Sequence, residues 1–313
     1  MSRSHFLSLD EAFKWVAGSI VECGAVIAPR GLPTRELRAV HFSIEDPRRR
    51  YVSLAARRWS FPYALGEFCW HARGSNRLDE ISFYASRWQR MSEDSETIRA
   101  SCYGAKIFVE RPPHVSQWVA ARNTLIQDPA SRRAVLSIAA PLDETVSQDV
   151  DVSCATSLQF SVRSGKLEAI ANMRSNDAIL GLPYDIFLFT MLQEMIAVEL
   201  RVELGPYHHF VGSLHIYDSD LDWARQIARA TQLVGEPMPP MRNLGGLQNL
   251  LEGERRTRKG LPLESDTGRS DEYWSDLLSV LNYRNTRHFG RSALLEAVVA
   301  NPLYQQLTRL HQG

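Results

Sequence analysis

Residues 185–202, DIFLFTMLQEMIAVELRV, decide the fold. Wound as a helix, they place apolar side chains on nearly every side: Ile186, Phe187, Leu188, Phe189, Met191, Leu192, Met195, Ile196 and Val198. The spacing predicts a helix enclosed by protein rather than lying on its surface. Working outward, 166–175 (KLEAIANMRS) before it and 208–218 (HHFVGSLHIYD) after it are strand-like, as are 157–163 (SLQFSVR) and 134–140 (AVLSIAA). SGK at 164–166 predicts a tight hairpin turn. Helical spacing also marks 7–22 (Leu7, Ala12, Trp15, Val16, Ile20), 62–73, and the 116–129 segment SQWVAARNTLIQDP, stopped by Pro129. Between the first of these and the strand VHFSIED (40–46), the stretch VIAPRGLPTREL (26–37) breaks into a Gly/Pro loop. Residues 235–270, with Pro and Gly clusters and the charged run GERRTRKG (253–260), read as exposed loop, and the last helices are expected at 271–282 and 291–299. No stretch separates two cores. The expected architecture is a single α+β domain over 1–313, a mixed sheet with surrounding helices.

The 313 residues balance 36 Lys+Arg against 36 Asp+Glu, so no summed basic field draws the molecule to nucleic acid or an anionic membrane. Hydrophobic residues are 44% and charged residues 23%, ordinary globular usage without repeats or low-complexity tracts. The N-terminus MSRSHFLSLDEAFKWV meets Asp10 and Glu11 before an apolar signal core forms, and no run of about 18 uncharged apolar residues follows. A cytoplasmic protein that engages no membrane is expected. Cys23, Cys69, Cys102 and Cys154 show no CxxC spacing, which suggests neither a disulfide framework nor a zinc site. Of the 36 basic residues 32 are Arg, from genomic base bias or from a need for planar forks that grip phosphate.

Taken as bare residues, few of the candidates announce chemistry. Cys154, between strands, reads first as a small buried hydrophobe. His208 and His209 are adjacent on a strand and point to opposite faces, so they cannot chelate one metal together, and no metal is expected. His215 and Tyr217 alternate on one strand face and can address one ligand.

Their order changes the reading. Cys154, Gln159, Arg174, Ser175, Asp177, Gly181, Pro183, Asp185, His215 and Tyr217, within CATSLQF (154–160), MRSNDAILGLPYDI (173–186) and LHIY (214–217), resemble the central signature of the thymidylate synthase and pyrimidine hydroxymethylase family without a gap. Upstream, PRG places Arg30 at the family's phosphate-binding arginine and GEFCW places Glu67 at its acid/base glutamate. Trp88 and Tyr103 fall at an active-site tryptophan and tyrosine. DPASRR places Arg132 and Arg133 at the paired arginines that reach the other subunit's phosphate. The resemblance covers about residues 7–225; 235–313 diverge, and the family's folate-closing C-terminus is not recognisable.

The resemblance implies a thymidylate synthase-like fold, a homodimer formed sheet to sheet, a pyrimidine nucleoside monophosphate as substrate and 5,10-methylenetetrahydrofolate as co-substrate. It implies Cys154 as the nucleophile, Glu67 as the acid/base group, and Arg30, Arg132, Arg133, Arg174 and Ser175 as the phosphate cluster. His215 and Tyr217 would contact the sugar, Tyr103 would line the substrate site, and Trp88, Asp177 and Gly181 would face the folate. The residue types suit the chemistry: a thiolate added at pyrimidine C6 makes C5 nucleophilic, and a nearby guanidinium stabilises that thiolate.

Asp185 stands where thymidylate synthases carry Asn and deoxycytidylate hydroxymethylases carry Asp. Uracil presents an N3–H donor beside an O4 acceptor, which an amide matches; cytosine reverses the pattern, which suits a carboxyl group. As a bare residue Asp185 reads as the N-cap of the central helix. Ala155 and Met173 replace the histidine after the nucleophile and the glutamine before the arginine, which argues against an ordinary thymidylate synthase. The implied activity is 5-hydroxymethylation of a cytidylate. The Arg-rich chain and the PRGLPTREL opening resemble the CMP hydroxymethylases of nucleoside-antibiotic pathways more than viral enzymes, favouring CMP over dCMP. The rivals are a uridylate-methylating synthase and a catalytically silent nucleotide-binding homologue.

Overall fold

A computed structural model of the protein describes residues 4–110, 114–139, 151–231, 235–263, 272–291 and 294–310. Its first elements are β1 (His5–Phe6), α1 (Leu9–Cys23), β2 (Ala25–Ile27), β3 (Thr34–Ile44), α2 (Phe61–Ala72), α3 (Leu78–Ser82), α4 (Tyr103–Ile107) and α5 (Gln117–Gln127). Next come β4 (Val135–Ser137), β5 (Ala155–Arg163), β6 (Lys166–Asp177), α6 (Leu182–Leu200), β7 (Glu203–Tyr217) and α7 (Leu221–Arg229). The chain ends in α8 (Leu247–Arg258), α9 (Glu272–His288), α10 (Leu295–Val298) and α11 (Pro302–Arg309). Of the segments expected above, Ala140, 264–271 and 292–293 lie outside the described residues. The elements form two compact units: Met1–Trp59, Gln117–Ala140 and Ser153–Met238 make one, and Ser60–Ser116, Pro141–Val152 and Pro239–Gly313 the other.

The first unit is built on a mixed sheet of order β1-β3-β7-β6-β5-β4, with β2 on the flank of β3. β6 and β7 run parallel, while β3 with β7, β5 with β6 and β4 with β5 run antiparallel. The expected α+β class and mixed sheet are therefore observed. The β5–β6 turn is as tight as SGK predicts, with Ser164 (φ 51) and Gly165 (φ 77) both left-handed, the conformation that matches strand twist in a two-residue hairpin.

The helix that joins the parallel pair is α6, and every residue from Leu182 to Ala197 is buried except Asp185. At about 1.5–3 kcal/mol for each large apolar side chain removed from water, this one helix supplies much of the unit's hydrophobic stabilisation. Its polar residues find partners inside: Gln193 Nε2 donates to the carbonyls of Leu167 and Gly205 at 2.9 Å each, and Arg50 pairs with Glu194. α6 begins at Leu182, three residues before the sequence expectation, because Pro183 suits the first turn and the amide of Asp185 already donates to the Gly181 carbonyl at 3.0 Å. Asp185 is thus inside the helix and is not its N-cap.

The second unit is helical, and here one expectation fails. Residues 235–270 are not an exposed loop throughout, since 247–258 form α8 with Leu250, Leu251, Gly253, Glu254, Thr257 and Arg258 buried. The two buried charges of that run, Glu254 and Arg258, are paired within the unit. Glu254 accepts from Tyr84 Oη and Arg258 Nε, both at 2.8 Å, and pairs with Arg73; Arg258 also lies 3.2 Å from Glu80. α9 runs on to His288, six residues past the expected end. α11 was not expected, and its N-cap Asn301 accepts the Tyr304 amide at 3.3 Å. Among the described residues no helix is long and apolar enough to cross a membrane.

Candidate active site

In the sheet unit, residues from five elements converge at one end of the sheet. Cys154 immediately precedes β5, Asp177 closes β6, Tyr217 closes β7 opposite Thr34 at the start of β3, Arg30 lies just before β3, and Asp185 sits in the first turn of α6. The register places Asp177 beside His215 and Ser175 beside Ser213 on the parallel pair. A β-bulge at Thr156 inserts one extra residue directly after Ala155, and Thr156 Oγ1 donates to the Asn172 carbonyl at 2.8 Å. Such a bulge redirects the chain, here right beside the thiol.

Cys154 is half-buried and Arg174 exposed. The two strands hold them together by the Arg174 amide on the Cys154 carbonyl (2.9 Å) and by Arg174 Nε on the Ser153 carbonyl (2.8 Å). Arg174 Nη2 then lies 4.0 Å from Cys154 Sγ, the guanidinium–thiol pairing expected above. Gly212 makes the approach of β7 possible, because a Cβ there would lie 2.9 Å from the Arg174 carbonyl oxygen.

Tyr217 joins this cluster. Burial lifts its phenol above the ordinary range, with the Asp177 carboxylate and Cys154 adding to the lift and the Arg30 cation opposing it. The His215 and Tyr217 rings meet edge to face at 5.2 Å, as their same-face reading requires. Arg30 is exposed and held at φ 53, ψ 29, a left-handed conformation unusual for a non-glycine residue and common at functional turns. Asp177 Oδ1 accepts the amides of Ile179 and Leu180 at 2.8 and 2.9 Å, shaping the turn into α6.

Arg132 and Arg133 do not join that end of the sheet. Both are exposed on the turn into β4, where Pro129 and Ala134 carbonyls pair with Val162 and Phe160 and Arg132 O accepts from Gln159 Nε2 at 3.0 Å. At about 3.3 Å per residue along β5, that level lies roughly 17–26 Å beyond Cys154.

The helical unit carries Glu67, Trp88 and Tyr103. Glu67, on α2, is 9% exposed, and burial raises its carboxyl to about 7, against the opposing Arg87 charge and Tyr63 hydrogen bond. Tyr63, one turn earlier, donates its Oη–H to Glu67 Oε1 at 2.8 Å and accepts from Arg87 Nη2 and Trp88 Nε1, both at 3.0 Å. Trp88 thereby supports the acid/base candidate, while its indole packs 5.5 Å from Trp70. Tyr103 stacks on His71 at 5.4 Å; burial lowers that imidazole to about 3, so it stays neutral. Sequence reading missed Tyr63 and Arg87. Tyr63 was findable as the i−4 neighbour of Glu67 on the same helix face.

The raised Glu67 carboxyl has a testable consequence. A folded-state value of about 7 against the ordinary 4.5 means that the folded chain holds this proton more tightly, so the contribution of Glu67 to stability is full below pH 4.5 and is lost as pH rises through 7. Glu67→Gln, a neutral isostere, escapes that loss. Urea unfolding at pH 8 should show the variant more stable than wild type by on the order of 3 kcal/mol, with little difference at pH 4.5. Equal differences at the two pH values would contradict the buried, proton-holding carboxyl.

The thymidylate synthase family model matches residues 13–249, and the chain belongs to that family. It is similar to the deoxyuridylate hydroxymethyltransferase of Bacillus phage SP01, at 28% identity over 217 residues covering 66% of this chain and 56% of that protein. It is also similar to the deoxyuridylate hydroxymethyltransferase of Delftia phage PhiW-14, at 28% identity over 208 residues covering 63% and 57%. The match thus spans little more than half the length of these relatives.

Proposed function

We propose that the protein is a pyrimidine nucleotide one-carbon transferase that hydroxymethylates C5 of a cytidine monophosphate, with CMP ahead of dCMP, as a homodimer. The observation that carries this reading is the Arg174 guanidinium 4.0 Å from the Cys154 thiol at the cluster end of the sheet. A cation beside sulfur favours the thiolate, and thiolate addition at C6 turns C5 into a nucleophile. The one-carbon unit comes from 5,10-methylenetetrahydrofolate, as the family's members use. The half-buried indole of Trp88 is of a kind that suits a flat pterin, and Asp177 and Gly181 are the other residues assigned to the folate.

The remaining steps belong to the chain's own groups. Arg30, Arg174 and Ser175 bind the 5′-phosphate, joined by Arg132 and Arg133 from the partner subunit, through charge-assisted forks. His215 and Tyr217 hold the sugar and Tyr103 lines the nucleotide site. With the one-carbon unit bonded to C5, loss of the C5 proton expels tetrahydrofolate and leaves an exocyclic methylene on the ring; water adds to that carbon, and the Cys154 thiolate is expelled from C6. Glu67, poised near neutrality, handles the proton of that water.

Asp185 chooses the base. The relatives' names favour a second reading, a deoxyuridylate substrate. A silent homologue is the weaker reading, since Cys154 with Arg174 and a Glu67 held near neutrality are both intact. The test is kcat/KM for CMP, dCMP, UMP and dUMP in wild type and Asp185→Asn. Wild type should prefer a cytidylate, and the variant should move at least about tenfold toward the uridylate, as expected for mismatching one hydrogen-bonding group against the base. A wild type that prefers UMP or dUMP sinks the cytosine assignment.

A further inference from the structure

Behind Asp185 runs a buried chain of hydrogen bonds that links three residues outside the cluster described above. Asn176 Nδ2 donates to Asp185 Oδ2 at 2.8 Å, His209 Nε2 meets Asn176 Oδ1 at 3.0 Å, and the Tyr207 hydroxyl meets His209 Nδ1 at 2.8 Å. Asn176 is 2% exposed, and Tyr207 and His209 are wholly buried.

The chemistry of the groups gives this chain one direction. Asn176 Oδ1 can only accept, so His209 must carry its proton on Nε2. An imidazole held neutral then has an unprotonated Nδ1, which accepts from Tyr207. Burial supports both assignments, lowering His209 to about 3 and lifting the Tyr207 phenol well above its usual range. The sequence of donors is Tyr207 Oη–H, His209 Nε2–H, Asn176 Nδ2–H, ending on Asp185 Oδ2.

A carboxyl group without such a partner can place its proton on either oxygen, and so can match either the donor–acceptor edge of uracil or the reversed edge of cytosine. With Oδ2 already accepting from Asn176, a proton on Asp185 is favoured on Oδ1. One hydrogen-bonding pattern remains, and one base edge fits it. We infer that Tyr207, His209 and Asn176 are positioning residues that fix the orientation and proton placement of Asp185 and thereby make it selective between pyrimidine bases. The inference rests on the reading that Asp185 contacts the base.

Gly181 has its place in this device. A Cβ there would lie 3.3 Å from Asn176 Nδ2 and 3.4 Å from Asp185 Oδ2, pressing on the terminal hydrogen bond. The same glycine that precedes α6 therefore keeps room for the last link.

The test is the ratio of kcat/KM for cytidylate over uridylate in wild type, Tyr207→Phe, Asn176→Leu and His209→Gln, with dissociation constants for the same two nucleotides where turnover is slow. Tyr207→Phe and Asn176→Leu should each move the ratio toward one by about tenfold, while binding of inorganic phosphate stays as in wild type. His209→Gln, whose amide can accept from Tyr207 and donate to Asn176, should retain most of the discrimination. A merely structural chain would lower activity on both bases together and leave the ratio within twofold of wild type, which overturns the inference. If the wild-type ratio favours uridylate but still collapses toward one in Tyr207→Phe, the cytosine assignment fails and the positioning chain stands. A wild type that does not discriminate overturns both.

Discussion

Cys154→Ala should bind nucleotide through the arginine cluster and form no product, with turnover falling by at least about three orders of magnitude as for loss of a covalent nucleophile. The loss should extend to a partial reaction, the exchange of the C5 hydrogen with solvent, because exchange reports thiolate addition at C6. The other cysteines provide the control. Cys69 is buried and its thiol is pushed far up by burial, Cys102 donates to the Arg99 carbonyl at 3.3 Å, and Cys23 is exposed. Cys69 and Cys102 belong to the helical unit and Cys23 ends α1, so their serine variants should keep C5 exchange. Tritium release from C5-labelled nucleotide measures it, and full exchange in Cys154→Ala would remove this residue from the chemistry.

Mixed dimers should recover activity that neither parent shows. Within one chain Arg132 and Arg133 lie toward the end of β5 away from Cys154, so if they bind phosphate at all they serve a site in another chain. In a two-fold dimer that relation is reciprocal. Cys154→Ala lacks the nucleophile and Arg132→Ala/Arg133→Ala lacks the forks, yet a heterodimer of the two holds one complete site and one doubly defective site. Random assortment makes about half the dimers mixed, so roughly a quarter of all sites should regain wild-type turnover. Subunits labelled to prove exchange, with activity no higher than the parental mean, would show that the arginines do not act across a dimer.

Much of this was legible in the residues. The all-round apolar stretch gave α6, alternation gave β5, β6 and β7, and the spaced order from Cys154 to Tyr217 gave the cluster at the sheet end. Legibility failed where charged side chains occupy core positions. Leu250, Leu251, Glu254 and Arg258 keep helical spacing in α8, but Glu254 and Arg258 interrupt the apolar stripe and pair with Arg73 and Glu80, far away in sequence. It failed also where side chains meet off the strand register. Asn176 pairs with Leu214 and His209 with Ala171, yet their side chains hydrogen-bond at 3.0 Å, and no local pattern announces that bond. Asp185 was recognised by its motif position, yet its place in the helix needed the Gly181 carbonyl bond to be seen.

The central claim is that water, and not hydride, completes the transfer to a cytidylate after Cys154 has activated the ring. Mass analysis of the nucleotide product formed from CMP and 5,10-methylenetetrahydrofolate in heavy-oxygen water tests it most directly. The account predicts a nucleotide heavier than its substrate by CH2O, with the heavy isotope in the new hydroxyl group and none formed by Cys154→Ala. A product heavier by CH2 alone and free of the isotope, or product from uridylates only, would contradict it.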